Sequence, residues 1–229
     1  NEESYNIAIQ QGQLLEELGF NMNLAPVVDL EDTIWNCRSF NGNVEEISEK
    51  ARYYIKGLHD MKILSIAKHF PGKTLNVGDT HTGSAKATIE SEDLLPFLST
   101  INSGVDGIMI SHMVVDGAID SNSKPSMTSK EVIEQLKQSF NGLIVTDEIG
   151  MHALKEYYTN SVGFTDYKQM FIDLFKANND IIITFDRNPK KIYNLINTIS
   201  NAVENGEIEE NDIDNSVKKI LYAKGIKVV

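Results

Sequence analysis

The stretch LIVTDE at residues 143–148 decides the fold, because it is a short apolar run that ends in acidic side chains. Such a run is typical of a buried parallel strand, which has both faces covered. We predict strands where the chain has runs of this kind, at residues 22–28, 63–67, 107–111, 143–146 and 180–184. Longer amphipathic segments lie between and around them, and we predict helices at residues 6–18, 44–60, 90–103, 129–140, 165–177, 189–205 and 212–223. This alternation predicts an α/β fold with a parallel sheet.

Two architectures fit the alternation, an open doubly wound sheet and a (β/α)8 barrel. No G-x-G-x-x-G motif follows any predicted strand, which argues against a dinucleotide-binding sheet. A barrel of the TIM type needs about 250 residues and eight strands, whereas the sequence predicts five strands. A barrel therefore requires further strands, which either escape the pattern or are missing from this chain.

The composition excludes several classes of protein. Of the 229 residues, 41% are hydrophobic and 24% are charged, which is typical of an ordered globular domain. The excess of 33 acidic over 21 basic residues gives a net charge of −12, which argues against nucleic acid as a partner. No apolar run reaches the roughly 20 residues of a transmembrane segment. A single cysteine, Cys37, excludes an internal disulfide and a metal site built from several thiolates.

The sequence leaves the compartment open, because a lone cysteine suits the cytoplasm and occurs equally in secreted bacterial proteins. The chain opens on Asn1 without an apolar leader, so we expect that a leader was removed or that the sequence begins inside a longer chain. A cytoplasmic location is one expectation. Secretion or lipid anchoring is the other, if a signal peptide precedes Asn1.

Polar side chains follow each of the predicted strands within two residues of its end. They are Asp29, the pair Lys68–His69, His112, Asp147 and Asp186. In a barrel the carboxyl ends of all strands meet at one mouth, where barrel enzymes place their chemistry. The alternative is that polar residues simply end the strands and cap the helices that follow. The recurrence at five strand ends favours a site at one mouth.

A second group of chemically capable residues lies in the sequence GDTHTG at residues 78–83, inside a predicted loop of roughly twenty residues. Asp79 and His81 are two positions apart, so a tight turn can place the carboxylate beside the imidazole and favour its protonated form. Taken alone, the pair also fits a metal site or a hydrogen bond that stabilises the loop. Together with Asp147 on a rigid strand, it supplies the parts of a glycosidase, a carboxylate nucleophile and an opposing acid/base.

Five stretches of the sequence resemble glycoside hydrolase family 3, and within it the single-domain bacterial β-N-acetylglucosaminidases. They read KHFPG at residues 68–72, DTH at 79–81, VTDEIGM at 145–151, NLAPVVD at 23–29 and CRSF at 37–40. Their order matches the family along nearly the whole chain. The resemblance implies a single catalytic domain over residues 1–229 with a (β/α)8 TIM-type barrel fold. It also implies that this barrel lacks its first two or three βα units, because nothing before Asn1 corresponds to them.

The resemblance implies a role for each catalytic residue. Asp147 is similar to the nucleophile that forms a covalent glycosyl intermediate, so the anomeric configuration is retained. His81 is similar to the histidine acid/base of this branch, and Asp79 to the carboxylate that pairs with it. A histidine suits this role on a loop, since an imidazole titrates near pH 6.5 without help from burial.

The resemblance also implies a set of sugar-binding residues and a reaction. Lys68 and His69 match the pair that hydrogen-bonds the sugar hydroxyls, Arg38 joins them, and Asp29 matches a residue at the floor of the pocket. The role of His112 stays open. The implied activity is hydrolysis of terminal β-linked N-acetylglucosamine from peptidoglycan fragments, in which it is joined to muramic acid. The substrate is then a small carbohydrate or muropeptide, with no metal and no cofactor, and the oligomeric state is not predicted.

Two departures from the family pattern and several alternatives remain. Lys73 stands where the family commonly has a second histidine, and Thr80 replaces the serine of its Asp-Ser-His. A family 3 β-glucosidase or β-xylosidase is disfavoured, because those relatives lack the Asp-x-His loop. A glycoside phosphorylase stays open, because a histidine acid/base tolerates an anionic acceptor such as phosphate. A non-catalytic sugar-binding protein of the cell envelope is the alternative from another class.

Overall fold

A parallel β-sheet organises the structure, a computed structural model that describes residues 1–35, 37–75 and 85–227. Within this part of the chain the strands are β1 (Met22–Asn23), β2 (Leu64–Phe70), β3 (Lys86–Ile89), β4 (Gly107–Ile110), β5 (Val114–Gly117), β6 (Leu143–Glu148) and β7 (Ile181–Ile183). Five of them form one sheet in the order β1-β2-β4-β6-β7, with every pair parallel. The other two, β3 and β5, pair in a separate small parallel sheet.

Helices alternate with the strands of the main sheet. In the described residues they are α1 (Glu2–Glu17), α2 (Val44–Asp60), α3 (Ser91–Asn102), α4 (Lys130–Lys137), α5 (His152–Tyr157), α6 (Tyr167–Lys176), α7 (Pro189–Glu204) and α8 (Glu210–Ala223). Polar side chains cap the amino ends of several of these helices. Asn43 forms a capping box with Glu46 at the start of α2, and Ser129 accepts a hydrogen bond from Val132 N at the start of α4.

The order of the strands explains why the sheet is curled. It follows the order of the chain, so successive right-handed crossovers place the connecting helices on the same face. On that face Ala67, Ile108 and Ile144 belong to the largest hydrophobic cluster. On the other face Ile66, Met109 and Val145 form a separate cluster, which side chains of α8 also join. The result is a curled parallel sheet of α/β type, as predicted, with all five predicted strands present.

Close packing at the centre of the sheet requires a glycine at the start of β4. A Cβ atom on Gly107 would lie 2.5 Å from Ile66 Cδ1 on β2 and 3.0 Å from the carbonyl oxygen of Leu143 on β6. Such distances leave no room for a side chain without moving both neighbouring strands. Gly107 therefore fixes how closely β2, β4 and β6 approach one another.

Four elements differ from the sequence-based expectations. The strands β3 and β5 and the short helix α5 were not predicted, and Lys86–Ile89 lies inside the stretch expected to be a loop without secondary structure. The first strand has only two residues, although a bridge between Val27 and Lys68 continues its pairing with β2. None of the helices in the described ranges is long and apolar enough to span a membrane.

A histidine–aspartate pair joins α2 to the amino ends of the strands. His59 Nε2 lies 2.8 Å from Asp106 Oδ2, and the same oxygen accepts hydrogen bonds from Ser65 N at 2.7 Å and Ser65 Oγ at 3.0 Å. The hydrogen bond to Asp106 raises the pKa of His59 despite partial burial. Burial acts to raise the pKa of Asp106, but the hydrogen bonds from His59 and Ser65 outweigh it and lower the pKa.

We expect Asp106→Asn to lower the free energy of unfolding by about 1–2 kcal/mol near pH 6, because charged hydrogen bonds are lost at a partly exposed site. The stabilisation from His59, whose pKa is raised on folding, is complete below its unfolded pKa and is lost as the pH rises through the folded value. The stabilisation from Asp106, whose pKa is lowered, is lost as the pH falls through its folded value. Urea denaturation should therefore show a larger difference between wild type and variant at pH 6 than at pH 9. The exposed Asp116, changed to Asn, is the control, and an equal difference at both values would contradict the assignment.

Candidate active site

The carboxyl ends of the main strands surround a cavity of about 300 Å³. Four of the residues predicted to act on a sugar line this cavity, namely Arg38, Lys68, His69 and Asp147. The rest of the lining is mostly apolar and aromatic, and includes Leu24, Trp35, Met109, Met151, Ile183 and Phe185. Convergent charged groups in an otherwise apolar cavity are typical of a ligand-binding site.

A buried aspartate holds the histidine at the end of β2. Asp29 Oδ2 accepts hydrogen bonds from His69 N at 3.1 Å and His69 Nδ1 at 2.9 Å, and Asp29 Oδ1 accepts from Thr74 N at 3.0 Å. Because a carboxylate can only accept, Nδ1 carries a proton and Nε2 can accept from Arg38 Nη2 at 3.4 Å. Both ring nitrogens of His69 therefore have protein partners. Asp29 lies behind the wall of the cavity and supports it.

A second aspartate, which the sequence analysis did not single out, organises the loop that carries Arg38. Asp32 Oδ2 accepts hydrogen bonds from the backbone N–H groups of Cys37 at 3.0 Å, Arg38 at 2.6 Å and Ser39 at 3.3 Å. Its Oδ1 accepts from Trp35 N at 2.9 Å. An aspartate at the start of a short polar loop is a general signal for this kind of local capping. The result is that one side chain positions both Arg38 and Trp35 at the cavity.

Asp147 lies near the end of β6, and both it and the neighbouring Glu148 line the cavity. The side chain of Asp147 is 22% exposed, and its Oδ1 accepts a hydrogen bond from Glu148 N at 2.8 Å. Burial acts to raise the pKa of Asp147, but its electrostatic interactions with His69, His112 and Lys68 and this hydrogen bond together lower it. The carboxylate is therefore kept ionised, as a nucleophile requires.

Lys68 faces the same cavity from β2. Burial is the main cause that lowers its pKa, and the nearby guanidinium of Arg38 lowers it further. The charges of Asp147 and Asp29 act in the opposite direction. The site thus brings two basic side chains and a carboxylate into one small, partly dehydrated volume, in which charge interactions are stronger than in water.

The polar residues that follow the strands do not all face one mouth. The expectation that they meet there is wrong for Asp186. Its carboxylate pairs with Lys191 Nζ at 2.7 Å, and it lines a separate apolar cavity of about 370 Å³ beside α6 and α7. This local ion pair lowers the pKa of Asp186 and turns the side chain toward α7. His112 is also absent from the cavity lining, because it is buried behind Asp147.

The predicted acid/base pair, Asp79 and His81, lies outside the described residues. Its role therefore stays a prediction, as do the roles of Asp147, Arg38, Lys68 and His69. Among residues 1–35, 37–75 and 85–227, no group of three or more His, Cys, Asp or Glu side chains could hold a metal ion.

Comparisons with known proteins agree with the resemblance noted in the sequence. Residues 2–223 match the family model described as "Glycosyl hydrolase family 3 N terminal domain". The chain is 26% identical over 236 residues to the beta-hexosaminidase LpqI of Mycobacterium tuberculosis, covering 96% of this chain and 58% of that protein. A beta-hexosaminidase of Xylella fastidiosa (strain M12) is 33% identical over 144 residues, covering 60% of this chain and 43% of that protein. The chain thus spans about half the length of the curated relatives that it matches.

The solved structure of a glycoside hydrolase family 3 beta-N-acetylglucosaminidase from Paenibacillus sp. str. FPU-7 has the same fold. It superposes with a TM-score of 0.87 at 27% sequence identity, covering 98% of this chain and 43% of that one. The match to the family model extends over nearly the whole chain. The chain therefore belongs to glycosyl hydrolase family 3, whose N-terminal domain it matches.

Proposed function

We propose that this chain carries the sugar-binding and nucleophilic side of a retaining β-N-acetylhexosaminidase, which releases terminal β-linked N-acetylglucosamine. The observation that carries the proposal is the position of Asp147, whose carboxylate lines the cavity and whose pKa is lowered by surrounding positive charge despite burial. Similarity to proteins named beta-hexosaminidase supports the sugar. The volume of about 300 Å³ is at the lower end for small-molecule pockets, which suits one terminal sugar ring.

The first step of the proposed reaction forms a covalent intermediate. One oxygen of Asp147 attacks C1 of the sugar, and the bond from C1 to the glycosidic oxygen breaks. The departing oxygen takes a proton from His81, whose protonated form Asp79 supports. Lys68, His69 and Arg38 hold the sugar hydroxyls, and His69 also contacts Arg38 at 3.4 Å.

The second step hydrolyses the intermediate. His81, now neutral, takes a proton from a water molecule, whose oxygen attacks C1 and breaks the ester bond to Asp147. Two inversions at C1 restore the β-configuration. The proposed natural substrate is a peptidoglycan fragment with N-acetylglucosamine joined to muramic acid. If added phosphate accelerated turnover and gave a sugar 1-phosphate, the reaction would be phosphorolysis.

The proposal includes a complete (β/α)8 barrel around the site. In the described sheet β1 and β7 each pair with a neighbour on one side only, and all three residues of β7 stay partly exposed. Unpaired edges of a parallel sheet expose hydrogen-bonding groups that a closed barrel satisfies. Further strands that pair with both edges would close the barrel and complete the wall of the cavity.

We expect Asp147→Asn to fold normally and to lose almost all turnover of an aryl β-N-acetylglucosaminide. The amide is nearly isosteric and can still accept from Glu148 N, but it cannot attack C1. Asp186→Asn, at the end of the next strand and outside the cavity, is the matched control and should keep its activity. A kcat above about one tenth of wild type, a loss of less than about 1.4 kcal/mol, would show that Asp147 is not the nucleophile.

We expect Lys68→Ala to weaken binding of an N-acetylglucosamine-type competitive inhibitor by about 1.5–3 kcal/mol, the range for hydrogen bonds to charged groups. The inhibition constant measures this loss directly. Lys73→Ala is the control, because Lys73 is also partly buried but pairs with Asp93 at 3.3 Å and does not line the cavity. Equal inhibition constants for both variants and wild type would place the sugar elsewhere.

We expect the effect of His81→Ala to depend on the leaving group. A dinitrophenolate needs no proton, so its departure should stay fast, whereas a poor leaving group should lose about 10²–10⁴-fold in rate. Azide needs no deprotonation, so it should restore turnover of the activated substrate and give a β-glycosyl azide. Asp79→Ala should act in the same direction but less strongly. Equal losses for both leaving groups, without an azide product, would make His81 a binding or structural residue.

A further inference from the structure

His112 is a buried histidine in contact with Asp147 that the reaction described above does not use. It follows β4, and its side chain has no solvent exposure. Its Nε2 lies 2.7 Å from the backbone carbonyl oxygen of Glu148. Because a carbonyl oxygen can only accept, Nε2 carries a proton in every protonation state of this ring. Any gain or loss of a proton therefore takes place at Nδ1.

The Nδ1 atom of His112 faces the carboxylate of Asp147. It lies 3.6 Å from Asp147 Oδ2, and among the described residues it has no hydrogen-bond partner although it is fully buried. The other carboxylate oxygen, Oδ1, already accepts from Glu148 N. Since His112 does not line the cavity, any effect on a bound sugar passes through a neighbour that does, and its Nδ1 faces Asp147.

The two protonation states of the ring interact differently with Asp147. A neutral ring turns the lone pair of Nδ1 toward an anionic oxygen, which is repulsive. A protonated ring turns an N–H group toward the same oxygen and forms a charge-assisted contact. Protonation of His112 and ionisation of Asp147 therefore favour each other.

We propose that His112 is a positioning residue that preserves the anionic form of Asp147, because Nδ1 takes up a proton before the carboxylate does as the pH falls. The protonated Nδ1 then donates toward Oδ2 and fixes the orientation of the carboxylate. The kinetic consequence rests on the proposed function, in which Asp147 is the nucleophile. The coupling between the two groups does not rest on it.

The surrounding charges are consistent with this role. Burial lowers the pKa of His112 below its ordinary value, although Asp147, the carbonyl group of Glu148 and the carboxylate of Glu148 act in the opposite direction. His69 on β2 opposes protonation of His112. Both histidines and Lys68 lower the pKa of Asp147. Apart from His112, these groups belong to β2 and β6, the two strands that pair with β4.

The direct test is a titration of the His112 imidazole by ¹⁵N NMR in the wild-type protein and in Asp147→Asn. Loss of the anionic partner should lower the pKa of His112 by about one pH unit or more. His152, an exposed histidine that pairs with Glu156, should titrate identically in both proteins and is the internal control. An unchanged titration of His112 would overturn the proposal. This readout needs no turnover, so it decides the coupling even if the protein hydrolyses no glycoside.

The kinetic test compares two replacements of the same ring. In His112→Gln the side-chain amide can still reach the carbonyl oxygen of Glu148, but no group remains at the position of Nδ1. We expect the acidic limb of the pH profile of kcat/KM to move up by about one pH unit. His112→Asn places an amide nitrogen near the former position of Nδ1. The acidic limb of the pH profile of this variant should therefore lie between those of wild type and His112→Gln.

His152→Gln is the control for this comparison and should leave the limb in place. A loss of kcat/KM by the same factor at every pH, with an unmoved limb, would make His112 merely structural and overturn the proposal. If His112→Gln does not fold, the NMR comparison between wild type and Asp147→Asn decides alone. If the wild type shows no turnover, the proposed function fails and the titration still tests the coupling.

Discussion

A carboxylate without solvent exposure, that of Asp29, holds the carboxyl ends of β1 and β2 together. A buried charge is tolerated only when its hydrogen-bonding capacity is used, and Asp29 accepts from His69 N, His69 Nδ1 and Thr74 N. These three bonds leave His69 one position and one tautomer. That tautomer presents Nε2 to Arg38. The geometry on the basic side of the cavity therefore depends on one acidic side chain that does not line it.

The same principle of indirect support recurs around the cavity. Asp32 holds the loop of Arg38 through backbone N–H groups, and His112 sits behind Asp147 with its ring fixed by the carbonyl oxygen of Glu148. Two charged residues that line the cavity, Arg38 and Asp147, are thus each restrained by a buried or backbone partner. Such restraint reduces the reorganisation that a reacting group must undergo in the transition state.

The elements that were predicted correctly are those whose sequence pattern acts between residues a few positions apart. The helices α2 and α7 agree with the predicted ranges to within a residue, because amphipathic spacing and capping residues act over a few positions. The strands β3 and β5 escaped prediction because each is four residues long and is stabilised by a partner distant in sequence. Asp186 was misplaced because its nearest basic group, Lys191 in the next helix, decides its orientation. Asp32 was missed because it acts on backbone groups and belongs to no recognised motif. The acid/base pair of Asp79 and His81 stays a sequence-based prediction.

The contacts that build the cavity join residues far apart along the chain. Asp29 and His69 are separated by 40 positions, Arg38 and His69 by 31, and His112 and Glu148 by 36. Contacts of such separation form late, because a long loop must be closed before they contribute. The cavity is lined by residues of β2, β4, β6 and β7, so it forms only when these strands have come together. A ligand in the cavity therefore favours the state in which these four strands are assembled, and by mass action it stabilises that part of the sheet and not one loop.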